Sequence, residues 1–314
     1  MIARHGATAR ANKAIMIPLS GFDSVPSDAG ALFCINAAKP ARLSRVTAIA
    51  HARGALSGGT VATAALMSSN PEALAAAGDP LLLVPGLTLK DKTKRVASLP
   101  DGEWPSRIPQ LGPDAWSQPH MMAPINTRVV RQSAALYSLK SEKDAYSKGP
   151  FSYTERALAR GHTAAISTTI ISAALGAALS PLCAPLVRRF LPAPGQGPSD
   201  EETKKNWFKL FFICEKESDT TATATATPLI ACVSGGDPYI ETGHSLAETG
   251  LLLAEAAREG RVDQLSGASF GYGFLTPATG LGLSLIERLN KTGWKFEIFN
   301  SIESAITAAA PRRV

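Results

Sequence analysis

With 314 residues, 45% of them hydrophobic and 18% charged, the chain is long enough to bury a substantial core and too apolar to be a disordered segment. Its 32 basic against 26 acidic residues leave a formal charge of +6, dispersed along the chain. No basic run carries interleaved aromatics, so nucleic acid is not an expected partner. Cys34, Cys183, Cys214 and Cys232 form no close pair, and the five histidines are scattered without ligand spacing. Neither a disulfide framework nor a metal site is expected, and buried free thiols are. The first residues, Met1 to His5, lack the apolar stretch of a secretory leader, which places the expected protein on the cytosolic side.

Taken in chain order, residues 1–12 read as a short basic helix. An apolar run at 14–19 reads as a buried strand, and Pro26 opens a helix to about residue 38 from a position where its missing N–H is harmless. Residues 46–51 have strand character and precede a small-residue helix at 61–67. Residues 78–124 are rich in proline and glycine and read mostly as loop. A helix follows at 126–139, with Arg128 and Arg131 on one turn.

Residues 163–187 hold no charge and close on Arg188 and Arg189. The length could cross a bilayer, but Pro181, Pro185 and many hydroxyls speak equally for a segment lying on a membrane or a helix pair in the protein's own core. A polar linker at 192–204 leads to two strands, at 207–214 and 227–233, joined by the alternating Thr/Ala tract 220–227, which reads as a hairpin loop. A helix with apolar residues at helical spacing begins after Tyr239. In the last unit Thr276 is a candidate N-cap, Pro277 the first helical residue, Leu281, Leu285, Ile286 and Leu289 the buried stripe, and Gly293 the stop. Residues 294–299 would be a closing strand.

Four loops share one design, a strand followed by a polar turn and then a helix start: residues 21–28, 57–60, 234–239 and 271–277. Helix N-termini offer free N–H groups and partial positive charge, so such loops can hold carboxylates or phosphates, although Gly, Ser, Asp and Pro are also what plain turns need. Asp23 and Tyr239 are the candidate catalytic residues, as proton donor or polar anchor, with the turn role equally open. Ser27, Ser57, Gly58, Gly59, Thr60, Gly236 and Asp237 are candidate substrate contacts. Gly271 to Thr276 misses the dinucleotide fingerprint, with threonine where the third glycine belongs.

Together, GFDSVPSD at 21–28, SGGT at 57–60, NTRVVRQS at 126–133, FSYTE at 151–155, VSGGDPYIET at 233–242 and LTPA at 275–278 resemble, in this order, the saccharopine dehydrogenase-like oxidoreductases, a group that includes the trans-acting enoyl reductases. The resemblance implies an α/β fold: a remnant of a Rossmann nucleotide-binding domain over residues 1–40, then an α+β mixed-sheet substrate domain over 41–314, with residues 163–187 as an apolar helical insert. It also implies NADP or NAD as cofactor, with Gly21, Phe22 and Ser24 toward the nicotinamide. The family's Gly-rich phosphate loop would precede residue 1, so binding of the dinucleotide by this chain alone is not expected.

The substrate implied is lipid-like or polyketide-derived, reduced at an enoyl or keto group, with a membrane or lipid-droplet surface and a second copy of the chain as further partners. The other reading is a non-enzymatic protein that docks on lipid through the apolar segment and Arg188–Arg189. Retention of the 21–28 and 234–239 loops speaks for the reductase.

Overall fold

The computed structural model describes residues 2–54, 57–72, 75, 78–84, 96, 104–141, 143–178, 195, 197–217 and 228–309, without the side chains of 3, 61, 64, 65, 68, 69 and 175–178. The fold is mixed α/β. Helix α1 (Ile2–Ala11) and strand β1 (Ile15–Met16) lead to α2 (Val25–Ala38), β2 (Leu43–Arg53) and α3 (Gly58–Ser69). Next come β3 (Ala115–Gln118), α4 (Ala123–Lys140), β4 (Ser152–Arg160) and α5 (His162–Ala178). A short α6 (Asp200–Thr203) precedes β5 (Trp207–Lys216), β6 (Leu229–Gly235) and α7 (Pro238–Arg258). The chain ends through α8 (Ser266–Ser269), β7 (Gly273–Phe274), α9 (Pro277–Gly280), α10 (Leu283–Thr292), β8 (Lys295–Phe299) and α11 (Ile302–Ala309).

The six-stranded sheet has the order β3-β4-β2-β5-β6-β8. Only β2 and β4 run parallel, with Ala48 opposite Glu155, and the other pairs are antiparallel. β2, β4 and β6 therefore point the same way, and the loops after β2 and β6 leave from one end of the sheet. A separate parallel pair joins β1 to β7, Ile15 opposite Gly273. One face of the large sheet, with Val46, Ala48, Tyr153, Phe208, Leu210, Phe212 and Val233, packs under α2, α4 and α10. The other face, with Ile49, Phe211, Ile230 and Leu158, is covered by α11.

Strand 14–19 shortens to two residues because Pro18 has no N–H to pair and the Ser20 hydroxyl donates to the Ile17 carbonyl at 2.7 Å. The expected loop 78–124 carries a strand, β3, that edges the sheet. Four residues set among prolines and glycines give too short an alternation to read. The expected helix after Thr276 is real but broken in two, since Gly282 has φ +60°. Its stripe of Leu281, Leu285, Ile286 and Leu289 is buried, and Gly293, at φ +131°, ends it.

From residue 162 the apolar segment is helical to 178, and Ile170 and Ile171 on it are 61% and 64% exposed. No helix among the described residues is long and apolar enough to cross a membrane. Residues 179–187, most of the linker 192–204 up to residue 196, and the 220–227 tract fall wholly or in part outside the described residues. Cys34, Cys214 and Cys232 are buried free thiols.

Candidate functional site

The loops after β2 and β6 meet. Ser57 caps α3, its hydroxyl accepting from Thr60 N–H at 3.3 Å. Asp237 caps α7, its carboxylate accepting from Tyr239 N–H at 2.8 Å and Ile240 N–H at 3.1 Å. These caps fix the two helix starts so that Ser57 N–H donates to the Tyr239 hydroxyl at 2.7 Å, with Thr60 Oγ1 3.0 Å from the same oxygen. Burial opposes ionisation of that hydroxyl. The hydrogen bonds from Ser57 and Thr60 outweigh it, against the charge of Asp23, and hold the pKa below the ordinary tyrosine value. Tyr239 is still 40% exposed, so its oxygen is both polarised and reachable.

Asp23, in the loop ahead of α2, lies close enough to Tyr239 and to His120 for its charge to act on both. Burial lifts its pKa above the usual carboxylate value, with His120 pulling the other way. Below it sits a carboxylate that is almost wholly enclosed. Glu155 on β4 is 2% exposed, yet both oxygens are saturated. Oε2 accepts from Ser27 at 2.7 Å and Tyr153 at 2.8 Å; Oε1 accepts from Asn126 Nδ2 at 2.7 Å and pairs with His120 Nδ1 at 2.9 Å. Desolvation would raise its pKa, but the hydrogen bonds and charge of His120 and the bonds from Asn126 and Ser27 win, and the group stays ionised below the usual range.

Of the residues expected from sequence, Ser57 and Thr60 are hydrogen-bonded to Tyr239, Gly58 and Gly59 stand in the first turn of α3, and Asp23 lies near enough for its charge to act on Tyr239. Ser24 and Ser27 face inward, Ser24 donating to Asn126 Oδ1 at 3.1 Å and Ser27 to Glu155. The Phe22 ring packs edge-on against Phe208, centroids 4.7 Å apart. Gly21 lies against α7, where a β-carbon would stand 3.1 Å from Thr242 Cγ2. Gly236 N–H donates to Glu241 Oε1 at 3.0 Å, and the second Asp237 oxygen accepts from Asn206 at 2.7 Å, so these two serve the turn.

His120, Asn126 and Glu155 were not legible as a site. The available signal was the pleat: Phe151, Tyr153 and Glu155 share one strand face, and a carboxylate following two aromatics on a core-facing row must find partners.

Of the four helix starts marked as anion-binding candidates, three carry an acceptor from the chain's own side chains. That of α3 holds Ser57 Oγ, that of α7 holds Asp237, and α2 continues directly from the Gly21 carbonyl, which accepts from Val25 N–H at 3.0 Å. The start of α9 does hold a carboxylate, the chain's own Asp28, which accepts from Ala278 N–H at 2.8 Å and from Ser133 at 2.5 Å. Among the described residues no group of three acidic, histidine or cysteine side chains could hold a metal ion.

Burial pushes the Asp28 pKa up to about 6 from 3.8, against the hydrogen bonds of Ser133, Ala278 and Thr276. A raised folded-state pKa means the folded protein holds this proton more tightly. The group's contribution to stability is therefore fully present below pH ~4 and lost as pH rises to ~6, by at most about 3 kcal/mol. Asp28→Asn removes the titration, so urea melts of the two proteins should show the variant gaining on the parent by up to that amount between pH 4 and pH 7. A constant difference across this range would mean that Asp28 does not titrate there.

A mixed α/β sheet with a half-exposed, hydrogen-bonded tyrosine, an acid and a carboxylate–histidine pair beside the loops after β2 and β6 has the makings of an enzyme site. The comparisons fit that class. The chain is 31% identical over 290 residues to a Mycobacterium tuberculosis protein provisionally named a trans-acting enoyl reductase, covering 87% of this chain and 64% of that protein. It is 30% identical over 298 residues to the trans-acting enoyl reductase of Mycobacterium ulcerans, with the same coverages, and 29% identical over 310 residues to that of Mycobacterium leprae, covering 92% and 68%. The chain spans 64%, less than two thirds, of the length of the first two of these relatives. No family model and no solved structure matches it.

Proposed function

We propose that this chain carries the substrate-holding side of an oxidoreductase of the trans-acting enoyl reductase type. The observation that carries the reading is the bond from Ser57 N–H to the Tyr239 hydroxyl, which joins loops 182 residues apart into the same mouth as Asp23. Kinship with enoyl reductases at about 30% identity supplies the reaction class: reduction of a carbon–carbon double bond conjugated to an acyl carbonyl.

In this reading the Tyr239 hydroxyl donates to the acyl carbonyl oxygen, held in place by Ser57 and Thr60, and stabilises the negative charge that gathers there as the double bond is saturated. Asp23 borders the same mouth and keeps it polar.

Reductases of this kind use a reduced nicotinamide dinucleotide. At the starts of α7 and α9 the chain's own Asp237 and Asp28 carboxylates already take the first-turn N–H groups, so those two starts do not fit its pyrophosphate. The saccharopine dehydrogenase-like ancestry is part of the proposal. On that view α1, the β1/β7 parallel pair and α2 are the edge of a nucleotide domain, and the large mixed sheet is the substrate domain.

Calorimetric titration with an enoyl thioester of medium chain length tests the reading. The chain should bind it, and Tyr239→Phe should weaken binding about tenfold, as expected for loss of one hydrogen bond worth roughly 1.4 kcal/mol. Absence of binding, or unchanged affinity in the variant, refutes it.

A further inference from the structure

We infer that His120 is the proton donor to the substrate α-carbon and that Glu155 is the residue that positions it, an assignment that rests on the enoyl reductase reading above. Glu155 is ionised and accepts on all sides. Its Oε1 takes Asn126 Nδ2 at 2.7 Å and its Oε2 takes two hydroxyls, so the 2.9 Å contact to His120 Nδ1 requires Nδ1 to be the donor. That fixes the ring: Nδ1 carries its hydrogen toward Glu155, and Nε2 is the nitrogen left on the other side.

Among the described residues Nε2 has no hydrogen-bond partner, while the ring is partly exposed, 22% at the side chain. The ring is thus held from below by a carboxylate that is itself tied to α2 through Ser27, to α4 through Asn126 and to its own strand through Tyr153. Of the charged groups near it, Glu155 on β4 bonds Nδ1, and Asp23, from the loop ahead of α2, lies within reach of the ring's charge. This is the build of an oriented acid–base histidine: a rigid inner nitrogen, a free outer one and a polar mouth.

The step balances within the substrate and the ring. As an enolate, the acyl thioester holds its electron pair on the α-carbon and acyl oxygen. The Nε2–H bond of the imidazolium breaks, its electron pair stays on nitrogen, the proton bonds to the α-carbon, and the carbonyl re-forms. Read backward, neutral His120 removes an α-proton from a saturated acyl thioester and returns one from solvent, which needs no dinucleotide.

The test is deuterium incorporation at the α-carbon of a saturated acyl thioester in heavy water, followed by mass spectrometry with the 314-residue chain and no dinucleotide. Wild type should exchange. His120→Gln should be slower by about 100-fold or more with acyl binding retained, and Glu155→Gln by about tenfold or more. In Glu155→Gln the ring ¹⁵N spectrum of His120 should also lose the single Nδ1–H tautomer, a change that a purely structural role for Glu155 would not produce.

Exchange by His120→Gln at the wild-type rate, or a wild-type protein that binds the thioester and does not exchange it, overturns the assignment while leaving the substrate reading in place. A chain that does not bind the thioester overturns both.

Discussion

Glu155→Ala should lower the unfolding free energy by about 4 kcal/mol. The substitution strands four donors, Ser27, Tyr153, Asn126 and His120, around an empty space in the core. Glu155→Gln keeps the volume and one carbonyl acceptor, and the two hydroxyls can turn to accept from the new amide, so its loss should be smaller, about 1–2 kcal/mol. The pH dependence separates charge from shape. The folded carboxylate is held below its ordinary value of 4.5. Its contribution is therefore full above that pH and fades as pH falls through the depressed folded-state value. Urea melts should show the gap between wild type and Glu155→Gln closing in acid. A gap unchanged down to pH 3 would mean the carboxylate is not ionised in the folded protein.

Gly30→Ala should destabilise by about 3 kcal/mol, at the upper end for one added methyl group. A β-carbon there would lie 2.2 Å from Phe212 Cζ and 2.6 Å from Cε2, with Val233 Cγ2 at 3.1 Å. Phe212 and Val233 are both fully buried, so the ring has nowhere to swing, and α2 must lift from the sheet. Because α2 carries Ser27 and starts at its N-cap Ser24, the lift should also loosen the grip on Asn126 and Glu155. Calorimetric melting of the variant checks this, and a Tm within a degree or two of wild type would show that the contact relaxes cheaply.

Much of the architecture could be read from local chemistry. Pro26 and Pro277 marked helix starts, Thr276 capped where its position demanded, and the stripe from Leu281 to Leu289 faced inward. Asp23, Ser57, Thr60 and Tyr239 were legible because each stands beside a turn whose composition is unusual for its setting. Their meeting was not, since it depends on β2 and β6 leaving the sheet at one end, a fact of strand order that no single segment encodes.

The Glu155 network was hidden for a different reason. Its members come from α2, the loop before α4, α4 itself and β4, with up to 128 residues between partners. Each is an ordinary polar residue in its own stretch. Strand β3 escaped because four residues cannot show a period, and β1 was overdrawn because an apolar run does not reveal that Pro18 ends its pairing. Asp28 stands in the first turn of α2, where a carboxylate ordinarily favours its own helix dipole. It instead crosses to the start of α9, 250 residues away in sequence.

The most direct test of the account is a map of amide and ring shifts as a saturated acyl thioester is titrated into the chain. The substrate should move the Ser57 and Thr60 amides, the Tyr239 ring, the His120 ring and Asp23 together and with one affinity. Saturable binding that shifts residues elsewhere while these five stay still would contradict it.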